Sequence, residues 1–380
     1  MPKSYSIPLS KPDISESDIE AVARVLRSSR LSIGPRMEEF ENAIADYVGV
    51  QHAVAVSSGT AALHLAVRAL GIGEGDEVIV PSFAFVAVAN AVRYERATPV
   101  FVDIEPFTLN VNPELIEKAI TSRTRAIVVV HTFGCPAELS PILELARKHN
   151  LFVIEDACEA IGAEYKGKKT GAYGDVGVFA FYPNKQITTA EGAMLVTRDP
   201  DLARSFRMLR NQGRSEDLDW LDCATIGYNY RLSEMPCALG IEQLKRIEEI
   251  LGSRESVAAG YARALHGVSD VSVPPMQVEN RRLSWFVFVV RLAASFSREH
   301  RDEIVRRMCS KGIGCGRYFA PIHRQPAYVA YASAEAHLPV TTFVADRSIA
   351  LPFFNRLTQE EIGIVCNCLS DAIASIQSTG

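Results

Sequence analysis

Leu151-Phe152-Val153-Ile154-Glu155-Asp156-Ala157-Cys158-Glu159-Ala160 is the stretch that decides the fold. Four apolar residues in a row, with no polar alternate, belong to a strand covered on both faces, as in a parallel sheet packed between helices. The carboxylates arrive where the apolar run stops, at the carboxyl end of that strand. Working outward, the runs Glu77–Val80, Pro99–Val102 and Ala126–Val130 have the same character. Helix-length segments at Phe85–Arg93, Glu114–Ile120 and Pro141–Lys148 separate them. Such alternation predicts an α/β domain with a mostly parallel sheet. Upstream, apolar residues at helical spacing predict helices over Asp18–Leu26, Met37–Val48 and Thr60–Ala69.

The chain has 380 residues, which suits a large domain with a smaller companion. A long helical pattern from about residue 236 to Leu265 reads as the connection. Beyond it, Trp285–Val290 reads as a strand, and Arg301–Lys311 and Thr358–Ile376 as helices. The expected division is 1–245 for the large domain, with the N-terminal segment, and 246–380 for a small C-terminal α+β domain. Hydrophobic residues are 48% and charged residues 22%, an ordinary globular balance that excludes a disordered chain. Formal net charge is −5, which lacks the basic footprint of a nucleic-acid binder. No apolar run reaches the roughly 18 residues of a membrane span. The first residues, Met1-Pro2-Lys3-Ser4-Tyr5-Ser6, carry no apolar signal core, so a cytoplasmic protein without membrane partners is expected. The eight cysteines include no CxxC pair and read as reduced, mostly buried thiols, with neither a disulfide framework nor a metal site.

Two residues stand out at strand ends. Asp156 follows the run Leu151–Ile154, on the edge where open α/β sheets bind ligands. Lys185 follows the run Val176–Phe181, in Phe181-Tyr182-Pro183-Asn184-Lys185-Gln186. Taken singly, each reads as an ordinary cap or surface residue. Together, facing one cleft, they are the pair that a pyridoxal 5'-phosphate (PLP) enzyme needs: an amine to join the cofactor aldehyde and a carboxylate to keep the pyridine nitrogen protonated. Ser57-Ser58-Gly59-Thr60-Ala61 opens a helix, and a helix N-terminus suits a phosphate. Gly71-Ile72-Gly73-Glu74-Gly75 follows a helix instead of opening one, so it is not read as dinucleotide-binding, which also weakens a dehydrogenase reading.

These segments, with 77–92, 97–105, 153–171, 174–197, 209–213, 227–244 and 347–354, resemble the DegT/DnrJ/StrS family of sugar aminotransferases, a branch of the fold-type I PLP enzymes. The likeness runs in order along nearly the whole chain. It implies a fold-type I large domain, Lys185 as the cofactor-bound lysine and Asp156 as the partner of the pyridine nitrogen. Glu159 would lie against one ring face and Phe85 over the other. Gly59, Thr60 and Ala61 would form the phosphate loop, and Asn229, in Gly227-Tyr228-Asn229-Tyr230-Arg231, would reach the phosphate from a neighbouring subunit, implying a homodimer with shared active sites. Tyr318 and His323 resemble a loop lining the sugar site. Arg231 is left between a carboxylate or dimer contact and a structural ion pair, and His131 between a supporting and a structural role. The implied reaction transfers an amino group, with L-glutamate as donor, to a nucleotide-linked keto sugar of 4-keto-6-deoxy type. Transamination of a cyclitol ketone uses the same residues, and a non-catalytic PLP-binding regulatory protein is the reading from another class. Three departures from the family pattern stand out: Ala180 where a phosphate-binding Ser is common, and Ala190 and Ala193 where glycines are common. The backbone at 190 and 193 is then either ordinary or slightly altered.

Overall fold

Strand β4 (Thr124–Val130) shows why the sheet is buried on both sides. Ala126, Val128 and Val130 join one apolar cluster, while Ile127 and Val129 join another on the opposite face. Each fully buried Val or Ile contributes roughly 1.5–3 kcal/mol, so the strand is stable only with helices on both faces. The computed structural model describes residues 5–215, 217–219, 222–331 and 338–378.

In chain order the first elements are α1 (Glu16–Leu26), α2 (Pro35–Val48), β1 (His52–Val56), α3 (Gly59–Ala69), β2 (Glu77–Pro81), α4 (Ala87–Tyr94), β3 (Thr98–Val102), α5 (Pro113–Ala119), β4 and α6 (Leu139–His149). Next come β5 (Phe152–Asp156), β6 (Glu164–Tyr165), β7 (Lys168–Lys169), β8 (Val176–Ala180), β9 (Ala193–Thr197), α7 (Pro200–Arg210) and α8 (Glu234–Lys245). The remainder is α9 (Ile247–Ala264), β10 (Val271–Ser272), β11 (Arg281–Arg282), β12 (Phe288–Leu292), α10 (Arg298–Ser310), α11 (Pro339–Ala345), β13 (Ser348–Leu351) and α12 (Gln359–Gln377).

The main sheet has seven strands in the order β1-β9-β8-β5-β4-β2-β3. All neighbours from β8 to β3 pair in parallel, and β9 runs antiparallel between β1 and β8. The mostly parallel α/β architecture is therefore as expected. Because β1 points the same way as β8, the carboxyl ends of β1, β2, β4, β5 and β8 share one edge. A second apolar core joins the later half of α9 to β12, α10, β13 and α12. Ile247, Ile250 and Leu251 sit in a core of the main sheet, while Val257, Ala258 and Tyr261 sit in the second core, so α9 passes from one to the other. Ile7 also belongs to the second core, bridging to Ile313.

Two elements differ from the sequence expectation. The long connecting helix is two helices that meet at Arg246, whose φ is −103° and ψ 11°. Its guanidinium reaches Asp18, a fully buried carboxylate that also accepts from Gln243. The apolar spacing of Ile241, Leu244, Ile247 and Ile250 continues across this break, which is why periodicity does not register it. The strand expected at Trp285–Val290 lies at Phe288–Leu292. The carbonyls of Trp285 and Phe286 are taken by the buried Arg254 guanidinium at 2.7 and 2.8 Å, which keeps them out of the ladder.

Candidate active site

Asp156 is the last residue of β5, in register with Val130 on β4 and Val178 on β8. Its side chain is buried, and Oδ1 accepts the backbone N–H of Cys158 at 3.1 Å. Among the described residues it forms no ion pair. A buried carboxylate without a cationic partner is costly, so this position fits a cationic group supplied by a ligand.

The neighbouring Glu155 points to the other face and is fully enclosed. It accepts from the backbone N–H groups of Gly171, Tyr173 and Gly174 at 2.7–2.8 Å and from His131 Nε2 at 3.0 Å. Burial pushes its carboxyl up, but His131 and the backbone donors outweigh that and hold it below the ordinary carboxylate range. His131 has no exposed surface; its Nδ1 accepts from Ala137 N–H at 3.0 Å, so Nε2 carries the hydrogen given to Glu155. Both ring nitrogens are spent, on Ala137 and Glu155, and His131 clamps the end of β5 from behind.

Lys185 lies in the loop between β8 and β9. Thr189 N–H donates to Phe181 O and Phe181 N–H to Gly192 O, both at 2.9 Å, and Lys185 N–H donates to Tyr182 O at 2.9 Å. This loop directs the amine inward. Nζ lies 4.0 Å from the Phe286 ring centroid and 3.7 Å from Glu159 Oε1. Glu159 Oε2 accepts the Phe133 N–H at 2.9 Å. Burial raises the Glu159 carboxyl, the Lys185 ammonium and the Phe133 N–H oppose that, and the result stays above the ordinary range. The charges of Asp156 and Lys185 both act on Cys158 and on Glu159, so the two residues are brought to one place.

Gly59, Thr60 and Ala61 form the first turn of α3, with Ser58 as cap accepting the Ala61 N–H. A Cβ built on Gly59 would lie 3.1 Å from Ala180 Cβ and 3.5 Å from Cys158 Sγ. The helix start therefore abuts the ends of β8 and β5, with its first N–H groups lacking intrahelical acceptors. Phe85, at the same edge before α4, is 61% exposed. Asn229 is exposed on a segment that continues this edge: Ser57 N–H donates to Tyr230 O, and Arg231 bridges Val56. Arg231 donates to Asn211 Oδ1 at 3.0 Å and forms no ion pair among the described residues. The structural ion pair considered for it is absent there.

Tyr318 stacks on Phe286 with planes 14° apart, and burial, with the Glu159 charge adding to it, raises its phenol. His323 is tied to the end of β2: Ser82 Oγ lies 2.6 Å from Nδ1 and accepts the His323 N–H at 3.2 Å. Burial, aided by Arg324, keeps the His323 imidazole below its usual range. Ala190 has φ +68°, in the left-handed region, so the backbone there is the altered one; Ala193 is ordinary strand in β9.

Sequence reasoning missed Phe286 beneath the amine, and Gln186. Gln186 Nε2 donates to Glu159 O at 2.7 Å and to Ser284 O and Oγ at 3.0 and 2.9 Å. Gln186 stands next to Lys185, but its partners Glu159 and Ser284 are 27 and 98 residues away in sequence. Nothing in the run Trp285–Val290 singled out its second residue.

A model of the DegT/DnrJ/EryC1/StrS aminotransferase family matches residues 12–370. The chain belongs to this family, as the resemblance implied. It is similar to GDP-perosamine synthase of Caulobacter vibrioides, 42% identical over 344 residues that cover 90% of this chain and 91% of the relative. A GDP-perosamine synthase of Escherichia coli O157:H7 is 37% identical over 96% of this chain and 98% of its own. Among solved structures, PseC of Helicobacter pylori, an aminotransferase involved in the biosynthesis of pseudoaminic acid, superposes with a TM-score of 0.93 at 29% identity, covering 98% and 100%. Spr1654 of Streptococcus pneumoniae, solved in PMP and PLP forms, gives TM-scores of 0.94 and 0.93 at 27% identity, covering at least 98% of each chain.

Proposed function

We propose that this aminotransferase moves an amino group from L-glutamate to a nucleotide-linked keto sugar, using PLP held by Lys185. The observation that carries the reading is the partly buried Lys185 amine and the buried Asp156 carboxylate, which forms no ion pair among the described residues, both set at the sheet edge beside an α-helix N-terminus. When bound, PLP supplies an aldehyde for the amine and an electron sink for the carbanion formed at the donor α-carbon. Asp156 holds the pyridine nitrogen in its protonated form. The first turn of α3 takes the phosphate through backbone N–H groups, which needs no contribution from Ala180. Phe85 and Glu159 confine the ring. Once its amine is released, Lys185 carries the proton to and from the donor α-carbon as general base and acid. Arg231 is available to a substrate carboxylate, for which a guanidinium is the fitting partner. Tyr318 and His323 line the acceptor side.

Asn229 is exposed and lies beside the start of α3, which suits a reach into a partner's site in a homodimer. The chemistry belongs in the cytoplasm, in keeping with cysteines that are all free, although only four of the eight are buried. No helix among the described residues is long and apolar enough to cross a membrane.

Two of the most similar relatives are named as GDP-perosamine synthases, so a GDP-linked 4-keto-6-deoxy sugar is the first acceptor to offer. Incubation of the PLP-loaded enzyme with L-glutamate and that sugar is expected to yield 2-oxoglutarate and an amino sugar by mass spectrometry. Turnover of scyllo-inosose with none of any nucleotide-linked keto sugar would replace this reading with the cyclitol one.

A further inference from the structure

Asn229 sits between two tyrosines that turn the other way. Tyr228 N–H donates to Leu209 O at 2.6 Å and Tyr230 N–H to Arg210 O at 3.0 Å, so the stretch runs extended along the end of α7. Side chains of an extended chain alternate in direction. Tyr228 and Tyr230 share one side, where their rings stack 4.9 Å apart with planes at 10°, and Asn229 is left exposed. His64, on α3, receives the pair: its ring lies 4.8 Å from Tyr228 and 5.9 Å from Tyr230. Nε2 is 2.7 Å from Glu95 Oε1 and Nδ1 is 3.1 Å from Tyr230 Oη. The Glu95 carboxylate, paired with Arg68 at 3.0 Å, only accepts. His64 Nε2 therefore carries the hydrogen, and Nδ1 accepts the Tyr230 O–H. Tyr228 O–H donates to the same Glu95 oxygen at 3.3 Å. Burial, aided by Glu95, raises both phenols, so the hydroxyls keep the hydrogens they donate. The His64 and Glu95 side chains are only 6% and 9% exposed, and the chemistry assigned to Lys185 and Asp156 uses neither.

We propose that His64, held by Glu95, is a positioning residue for the neighbouring subunit's cofactor site: it fixes the two tyrosine rings so that Asn229 between them is presented to the phosphate bound there. The backbone bonds of Tyr228 and Tyr230 set where the stretch runs. The ring contacts and the bond to Nδ1 set its rotation about its own axis, and that rotation aims the residue in the middle. The effect of His64 is therefore felt across the dimer, in the site of the other chain. This role rests on the proposed homodimer with shared sites.

The test is PLP affinity, read from the visible band of the Lys185-bound cofactor in equilibrium titrations. His64→Phe keeps a ring against the tyrosines and loses both hydrogen bonds. Its homodimer is expected to bind PLP about tenfold more weakly, the scale of one hydrogen bond lost at the phosphate. Refolding it with an equal amount of Lys185→Ala, which gives no such band, separates positioning from stability. In a mixed dimer the site that carries Lys185 receives an intact Tyr228–Tyr230 stretch from the Lys185→Ala chain. Random pairing places about half of the Lys185-bearing sites in mixed dimers, so the titration should show two equal phases, one of them at wild-type affinity. Asn229→Ala treated in the same way should also give two phases. A single weak phase for His64→Phe beside two phases for Asn229→Ala overturns the proposal, because the damage then stays within the substituted chain. So does wild-type affinity in the His64→Phe homodimer. A single weak phase for both variants overturns the shared sites, and this role with them. Should His64→Phe not fold, Tyr230→Phe loses only the hydroxyl bonded to Nδ1 and carries the same test, with a smaller loss of affinity expected.

Discussion

Asp156 is the side chain whose placement has no explanation within the chain itself. It is buried at the end of β5, bonded to one backbone N–H, and matched to no cation among the described residues. Substitution to Asn keeps the shape and removes the charge that would hold the pyridine nitrogen protonated. Asp156→Asn is expected to lower kcat at least about 100-fold, the scale seen when a preorganised electrostatic partner is lost, with the fold unchanged by circular dichroism. Ala190 makes a different prediction. A non-glycine residue in the left-handed region costs about 1–2 kcal/mol, and glycine returns part of that gain as unfolded-chain entropy. Ala190→Gly should therefore raise the unfolding free energy by up to about 1 kcal/mol in urea titrations. At this scale Lys185 and Asp156 were readable because each follows an apolar run. Phe286 and Gln186 were not, because their importance comes from contacts with Lys185, Glu159 and Ser284 that only the folded chain creates.

Strand β5 is fixed from behind by Glu155, which ties it to the turn at 171–174 and to His131 after β4. Removing the carboxylate leaves three backbone N–H groups and an imidazole without their buried acceptor. Glu155→Ala is expected to cost about 3 kcal/mol or more, read from chemical unfolding. The pH dependence follows from the direction of its shift. The folded form holds this carboxyl below the ordinary range, so its stabilisation is present above that range and fades as pH falls through the depressed folded value. The wild-type protein should lose stability in acid more steeply than Glu155→Ala. Among the elements, the parallel strands β2 to β5 were legible from unbroken apolar runs. β1 (His-Ala-Val-Ala-Val) and β9 were not singled out: five residues each, they become strands by pairing with one another in register. The break at Arg246 was hidden because a buried Asp18 far away in sequence, and not local propensity, recruits that side chain.

At the scale of the whole molecule, the sheet edge collects loops from β1, β2, β4, β5 and β8, and the C-terminal half adds Phe286 and Tyr318. The order of apolar strands made the α/β half readable, whereas the way the two halves close over Lys185 depends on packing that no local pattern encodes. If Asn229 serves a partner's site, Lys185→Ala and Asn229→Ala proteins, each inactive alone, should complement when unfolded and refolded together. Random pairing restores about a quarter of the sites, since one site of each mixed dimer is intact, and activity should return to about that fraction. No recovery would confine each site to a single chain. The claim on which all of this depends is that the Lys185 amine carries the cofactor, and it is tested most directly on the intact protein. Loading with PLP should give a visible absorbance band that borohydride removes, leaving the mass of one reduced cofactor on the peptide containing Lys185, with neither band nor added mass in Lys185→Ala. An unchanged band in that variant, or the added mass on another lysine, would contradict the account.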